Sequence, residues 1–233
     1  MSGKQFSVID LTLPIKHHFR WEVNIDHMET FERGDNFQTS KVAMSCHAFT
    51  HVDAPAHFVQ GGKTVDQLSP GEWSGNAAIV DLSDLGPMCG ITVDDLEQRD
   101  VQGRSEDLFL LKTCWDSKVD INSLEYWLQA PYLTRPAAEF LRAQAPRCVG
   151  FDFPQDFCIR EMLQGNAPRR EDFVTHDVLL RNGVVMIEYL TGLDQLKGDT
   201  ALIVVAPLKL DRSDGAPTRV FALDFVGNME DQG

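Results

Sequence analysis

The chain has 233 residues, with 35 acidic against 21 basic side chains and a formal charge of −14. That balance disfavours nucleic acid or an anionic membrane as a partner, since both select a basic surface. A hydrophobic content of 43% and a charged content of 24% are those of an ordinary soluble globular protein long enough to bury a core.

Phe6 to Leu13 (FSVIDLTL) reads as a strand, stopped by Pro14. The N-terminal stretch lacks the long apolar core and small-residue cleavage site of a signal peptide, and no apolar run reaches the ~20 residues of a membrane span. A loop-like region follows, carrying His17, His18, Trp21 and His27 without a clear period. The histidines are read as surface residues, and Trp21 either lines a pocket or closes over the core. Thr39 to Met44 is a further strand, leading into the densest chemistry of the chain.

Ser45 to Phe58, SCHAFTHVDAPAHF, holds three of the seven histidines in the pattern His47-x-x-x-His51-x-Asp53-x-Pro55-x-His57. Such side chains bind first-row metals and move protons near neutral pH. A straight strand at about 3.3 Å per residue spreads His47 to Asp53 over about 20 Å. One ion needs its ligands at about 2.0–2.2 Å, so the stretch must bend, most simply with a turn between His47 and His51. Pro55 argues against a helix through the second half. Ala48 stands where a zincin helix requires Glu. Gly61-Gly62-Lys63-Thr64 is not a phosphate loop, because His57 occupies the first glycine position of that motif.

Asn76 to Leu82 and Leu108 to Thr113 are apolar runs of strand length. Between them, Ile91 to Gln98 is predicted as a helix capped by Thr92. Thr134 to Ala145 reads as a helix with Thr134 as cap and Pro136 in its first turn. It passes into a strand over Arg147 to Phe153, with Asp152 in a structural role at the strand end. Pro168 to Leu180 is predicted as a second helix, closed by Asn182-Gly183, and Val184 to Glu188 as the strand after it. Leu202 to Leu210 and Arg219 to Phe225 are strands around a turn at Ser213 to Pro217. Arg160, Arg169 and Arg170 are read as solvated basic positions. Five cysteines without a Cys-x-x-Cys support neither a disulfide framework nor a zinc knuckle. Residues 1–233 read as one α/β domain with a mixed sheet.

HAFTHVDAPAHF resembles the signature His-x-Gly-Thr-His-x-Asp-x-Pro-x-His of the cyclase-like metal-dependent hydrolases, the family of bacterial kynurenine formamidase and isatin hydrolase. Phe49 departs from it where Gly is usual. IDLTLPI, LLKTCW, VGFDFPQD and the closing VAPLKLDRSDGAPTRVFAL are also similar to family segments, with Gln155 in place of a Ser. THDVLLRNGVVMIEYLTGL resembles the second signature, a helical His followed twelve positions later by an acidic residue.

This resemblance implies a swivelling β/β/α-type fold and a site for two divalent ions, zinc or manganese. His47, His51 and Asp53 are then ligands of one ion, and Asp53, His176 and Glu188 of the other. His57 is the acid/base, and Trp21 and Phe49 lie toward the substrate. Two ions can hold a hydroxide and polarise a carbonyl, and a nearby His can protonate the leaving atom. The expected function is hydrolysis of a small cyclic or aryl amide, formamide or lactone by a cytoplasmic homo-oligomer, dimer or tetramer, with no nucleic-acid or membrane partner. A metal-dependent lyase or dehydratase, or a catalytically silent metal-binding protein, are the alternatives.

Overall fold

The structure, a computed structural model, describes residues 6–225. Strands β1 (Phe6–Asp10), β2 (Val23–Glu29), β3 (Thr39–Met44), β4 (His51–Asp53), β5 (Gly75–Asp81) and β6 (Gly90–Ile91) form the first half. Strands β7 (Leu108–Lys112), β8 (Tyr132–Leu133), β9 (Cys148–Phe151), β10 (Val185–Glu188), β11 (Thr200–Pro207) and β12 (Gly215–Phe225) form the second. Seven of them close in the order β12–β11–β5–β7–β9–β10–β4 and back to β12, while β1 adds to β12 outside the ring. Neighbours from β5 to β10 are parallel and the other pairings are antiparallel, so this is a closed mixed sheet within an α/β fold, as expected.

Strand alternation divides the core in two. Leu108 and Leu110 of β7 point the same way as Val52, Ile79, Ile187, Ile203 and Val220, a cluster drawing on every strand of the ring and therefore filling it. Phe109 and Leu111 point outward with Val80, Val149, Phe151 and Met186, and meet Leu96, Ala137, Leu141 and Val178 of the covering helices. Strands β7, β9 and β10 are thus buried on both faces, which is why they read as unbroken apolar runs.

Four local expectations change. The loop after Pro14 contains β2, which pairs with β3 as an exposed hairpin. Neither face of β2 is buried, so it carries no alternation to detect. The predicted helix over Pro168 to Leu180 is two 3-10 turns flanking a short α-helix, Val174–Val178. Its break at Phe173 follows from a distant carboxylate: Asp156 accepts the Thr175 N–H at 2.7 Å and starts the helix there. The turn at Ser213 to Pro217 lies earlier, because β12 already begins at Gly215. Thr134 precedes its helix as expected, but its hydroxyl donates to Ile91 O at 2.7 Å instead of capping. Asp152 has the structural role assigned to it, accepting hydrogen bonds from the Thr113 and Cys114 N–H groups.

Candidate metal centre

The chain turns at Cys46–His47 and bends through Thr50 before entering β4. This is the reversal that ligand reach demanded, and it folds His47 back so that Nδ1 lies 2.7 Å from Asp53 Oδ1. Within β4, Val52 enters the ring, so His51 and Asp53 face outward by alternation. Glu188 ends β10 directly opposite His51, which puts both on that outer face. His176, on the helix Val174–Val178, closes the group: its Nε2 is 3.5 Å from both Asp53 Oδ2 and Glu188 Oε1. His51 Nε2 lies 3.3 Å from Asp53 Oδ1 and 3.7 Å from Glu188 Oε2. Asp53, fully buried, is therefore shared by three imidazoles.

All six polar residues singled out in the sequence converge here. The ligand atoms of five of them form two overlapping groups, each within 4.8 Å: His51, Asp53 and Glu188, buried, and His47, Asp53 and His57, closer to solvent, with His176 beside the first group through Asp53 and Glu188. The resemblance pairs His47 with His51 instead. Asp53 is common to both descriptions.

The outward nitrogens of the deep histidines are occupied. His51 Nδ1–H donates to Phe49 O at 2.8 Å, and His176 Nδ1–H to Asp156 Oδ2 at 2.7 Å. Each contact sets the tautomer that leaves Nε2 facing inward. Burial opposes charge on His47, but hydrogen bonds to Asp53 and Asp214 outweigh it and raise its pKa to about 9. Burial likewise opposes charge on His176, and Asp156 reverses the effect, holding it well above the usual histidine range. The surrounding imidazoles, His51 foremost, overcome burial and hold Asp53 well below the usual carboxylate range. Burial and the adjacent Asp53 push Glu188 upward.

These residues fit a divalent cation. His51 Nε2 and Asp53 Oδ2 are buried atoms without a hydrogen-bond partner among the described residues. A polar atom left so costs about 1–3 kcal/mol, and two buried carboxylates add a need for positive charge. Mixed imidazole and carboxylate donors suit zinc and manganese.

Phe49 has φ +57°, which explains why glycine suits its position. Its carbonyl is the one that holds His51. Tyr189, next to Glu188, is also left-handed at φ +56°. Trp21 packs on Phe49 at 4.6 Å and on Tyr189 at 5.2 Å between ring centroids, and Tyr189 is 5.6 Å from the His51 ring. The Trp21 side chain thus closes over the core one ring away from the ligands.

Other positions differ from their sequence reading. His18 is buried against Trp21, while His17 and His27 are exposed as expected. Arg160 is buried, its guanidinium donating to Leu128 O and Ala130 O, which makes it a structural residue. Sequence reasoning missed Asp156 and Asp214. Asp156 lies in FDFPQD with nothing but its charge to mark it. Asp214 sits in a run that reads as a turn. Gln155, noted only as a departure, donates through Nε2 to Glu188 Oε1.

Residues 9–155, more than half of the chain, match the family model described as "Putative cyclase". A kynurenine formamidase from Bacillus cytotoxicus is 28% identical over 220 residues, covering 91% of this chain and 94% of that protein. One from Bacillus cereus is 29% identical over 188 residues, covering 81% of each. Among solved structures, a "predicted metal-dependent hydrolase" from Bacillus stearothermophilus superposes with a TM-score of 0.72 at 28% identity, covering 94% of this chain and 99% of the other. Isatin hydrolase A from Labrenzia aggregata shares the fold, with a TM-score of 0.75 at 22% identity over 94% of each chain.

Proposed function

This chain belongs to the Cyclase family, and from that premise we propose that it is a metal-dependent hydrolase acting on a non-peptide C–N bond. The observation that carries the reading is Asp53, buried and shared by His47, His51 and His176, beside the unpartnered His51 Nε2. The kynurenine formamidase relatives support an amide as the bond broken. We assign two divalent ions, zinc or manganese, to His47, His51, Asp53, His176 and Glu188, with Asp53 common to both. When bound, such ions supply a water activated at neutral pH and a Lewis acid toward the carbonyl.

The chain's own groups do the rest. His57 is half-buried, and burial lowers its pKa, so near neutral pH it is uncharged and able to accept a proton. It then returns that proton to the departing nitrogen or oxygen. We assign the substrate side of the site, for a small cyclic or aryl amide, formamide or lactone, to Trp21 and Phe49, the aromatic pair that packs beside the ligands through Tyr189 and the Phe49 carbonyl. We further read residues 1–233 as one domain, acting as a cytoplasmic homo-oligomer.

The test is a hydrolysis screen of the protein supplied with Mn²⁺ or Zn²⁺ against formylkynurenine, isatin, lactones and cyclic imides, with metal analysis alongside. About two ions per chain and metal-dependent turnover are expected. Protein free of ions, with turnover indifferent to chelator, would sink the reading.

A further inference from the structure

Asp214 immediately precedes β12, and its Oδ2 lies 2.9 Å from His47 Nε2 and 3.4 Å from His57 Nδ1. The two rings are stacked with centroids 3.9 Å apart and planes inclined by 27°. An ionised carboxylate only accepts hydrogen bonds, so both facing nitrogens carry hydrogen. For His47 this leaves Nδ1 directed at Asp53. For His57 it leaves Nε2 as the nitrogen that exchanges a proton. The arrangement repeats that of His51 with Phe49 O and of His176 with Asp156, except that one oxygen here serves two rings of different duty.

The carboxylate is held in place by its backbone. Asp214 O accepts the Ala54 N–H at 2.9 Å, Ser213 O accepts the Val65 N–H at 2.8 Å, and the Ser213 hydroxyl donates to Gly215 O at 2.6 Å. The Asp214 side chain itself is 50% exposed, so replacing it leaves the core untouched. Beside it, Gly215 packs so closely on the His47 ring that a Cβ would stand 2.6 Å from Cε1.

We propose that Asp214 is a positioning residue for the proton carrier His57, fixing its tautomer through the same oxygen that meets His47. This rests on the assignment of His57 as acid/base made above. Asp214 then has no proton to move itself. Its effect on turnover passes through His57 and vanishes when His57 is removed.

The test is a double-mutant cycle on the metal-loaded protein with a substrate from the screen, combined with metal analysis and ¹⁵N-histidine NMR of the metal-free protein. Asp214→Asn is expected to keep its ions and lower kcat by about 10–100-fold, the usual scale for outer contacts of a metal site, with KM changed by less than about threefold. Asp214→Glu recovers part of that loss. In the His57→Ala background, Asp214→Asn costs less than about twofold, because the two act as a unit. NMR shows His57 as the Nδ1–H tautomer in the wild type, moving toward Nε2–H in Asp214→Ala. Loss of ions from Asp214→Asn, an equal loss of kcat in both backgrounds, or an unchanged tautomer overturns the proposal. Should His57→Ala leave kcat intact, the assignment of His57 fails instead, while the tautomer still judges Asp214.

Discussion

Asp156 Oδ2 lies 2.7 Å from His176 Nδ1, and the same carboxylate accepts the Thr175 N–H and hydroxyl. One buried side chain thereby starts a helix and aims the histidine at its third position. Asp156→Ala is expected to weaken binding of an ion at His176 by about 10–100-fold, as removal of such partners does. Thr175→Val is the control: it loses the hydroxyl contact but leaves His176 held. Competition with a chromogenic chelator measures both. Equal affinities in the wild type and Asp156→Ala would show that the helix alone places His176.

Gly215 is required by contact. A Cβ there would meet His47 Cε1 at 2.6 Å and Val52 O at 2.9 Å. Gly215→Ala therefore displaces either a ligand ring or a backbone carbonyl of β4. The expected cost is about 1–3 kcal/mol, the usual range for overpacking, together with loss of ion binding through His47. Gly34 provides the comparison: its φ is +85°, with nothing within 4 Å of an added Cβ. Gly34→Ala strains the backbone but leaves the site alone. Thermal melts and metal analysis of the two variants separate the effects, and a Gly215→Ala protein with full ion content would refute the contact argument.

Parts of this site were legible because they are local. Three histidines and an Asp within eleven residues announce metal chemistry, and ligand reach alone demanded the bend now seen at His47. Glu188 was less visible, being one carboxylate at the end of an apolar strand. It acquired meaning through its likeness to a family signature, and its register opposite His51 supplies the physical reason. Asp214 left no signal, since Ser-Asp-Gly reads as a turn, and its approach to His47 depends on the pairing of β12 with β4. The helix predicted through Pro168 failed for the same reason. A carboxylate from another segment decided where it starts, and periodicity holds no information about that.

Glu188 is fully inside the site and receives the Gln155 side-chain N–H. Glu188→Gln removes one negative charge while keeping size and an acceptor. Asp53 and His47 are unchanged by it. One ion is therefore expected to be lost and the other kept, giving about half the metal per chain after exhaustive buffer exchange. Elemental analysis against protein concentration reads this directly. Simultaneous loss of both ions would mean that the carboxylates act as one inseparable cluster.

Asp152 offers a prediction about stability away from the metal ligands. It is fully buried and accepts hydrogen bonds from Thr113 N–H at 2.9 Å, Thr113 Oγ1–H at 2.6 Å and Cys114 N–H at 2.8 Å. Burial nevertheless pushes its pKa up to about 7. An unfolded aspartate titrates near 3.9, so between about pH 4 and pH 7 the folded chain binds more protons here than the unfolded chain does. The contribution of this group is thus full below about pH 4 and is lost as pH rises to about 7, with no further change above. Asp152→Asn removes that dependence, although its amide cannot satisfy all three donors and the variant is less stable throughout. Urea unfolding from pH 5 to pH 8 should show the wild-type midpoint falling more steeply than that of Asp152→Asn, so that the two curves converge. Parallel curves would mean that the three donors keep Asp152 ionised across the whole range.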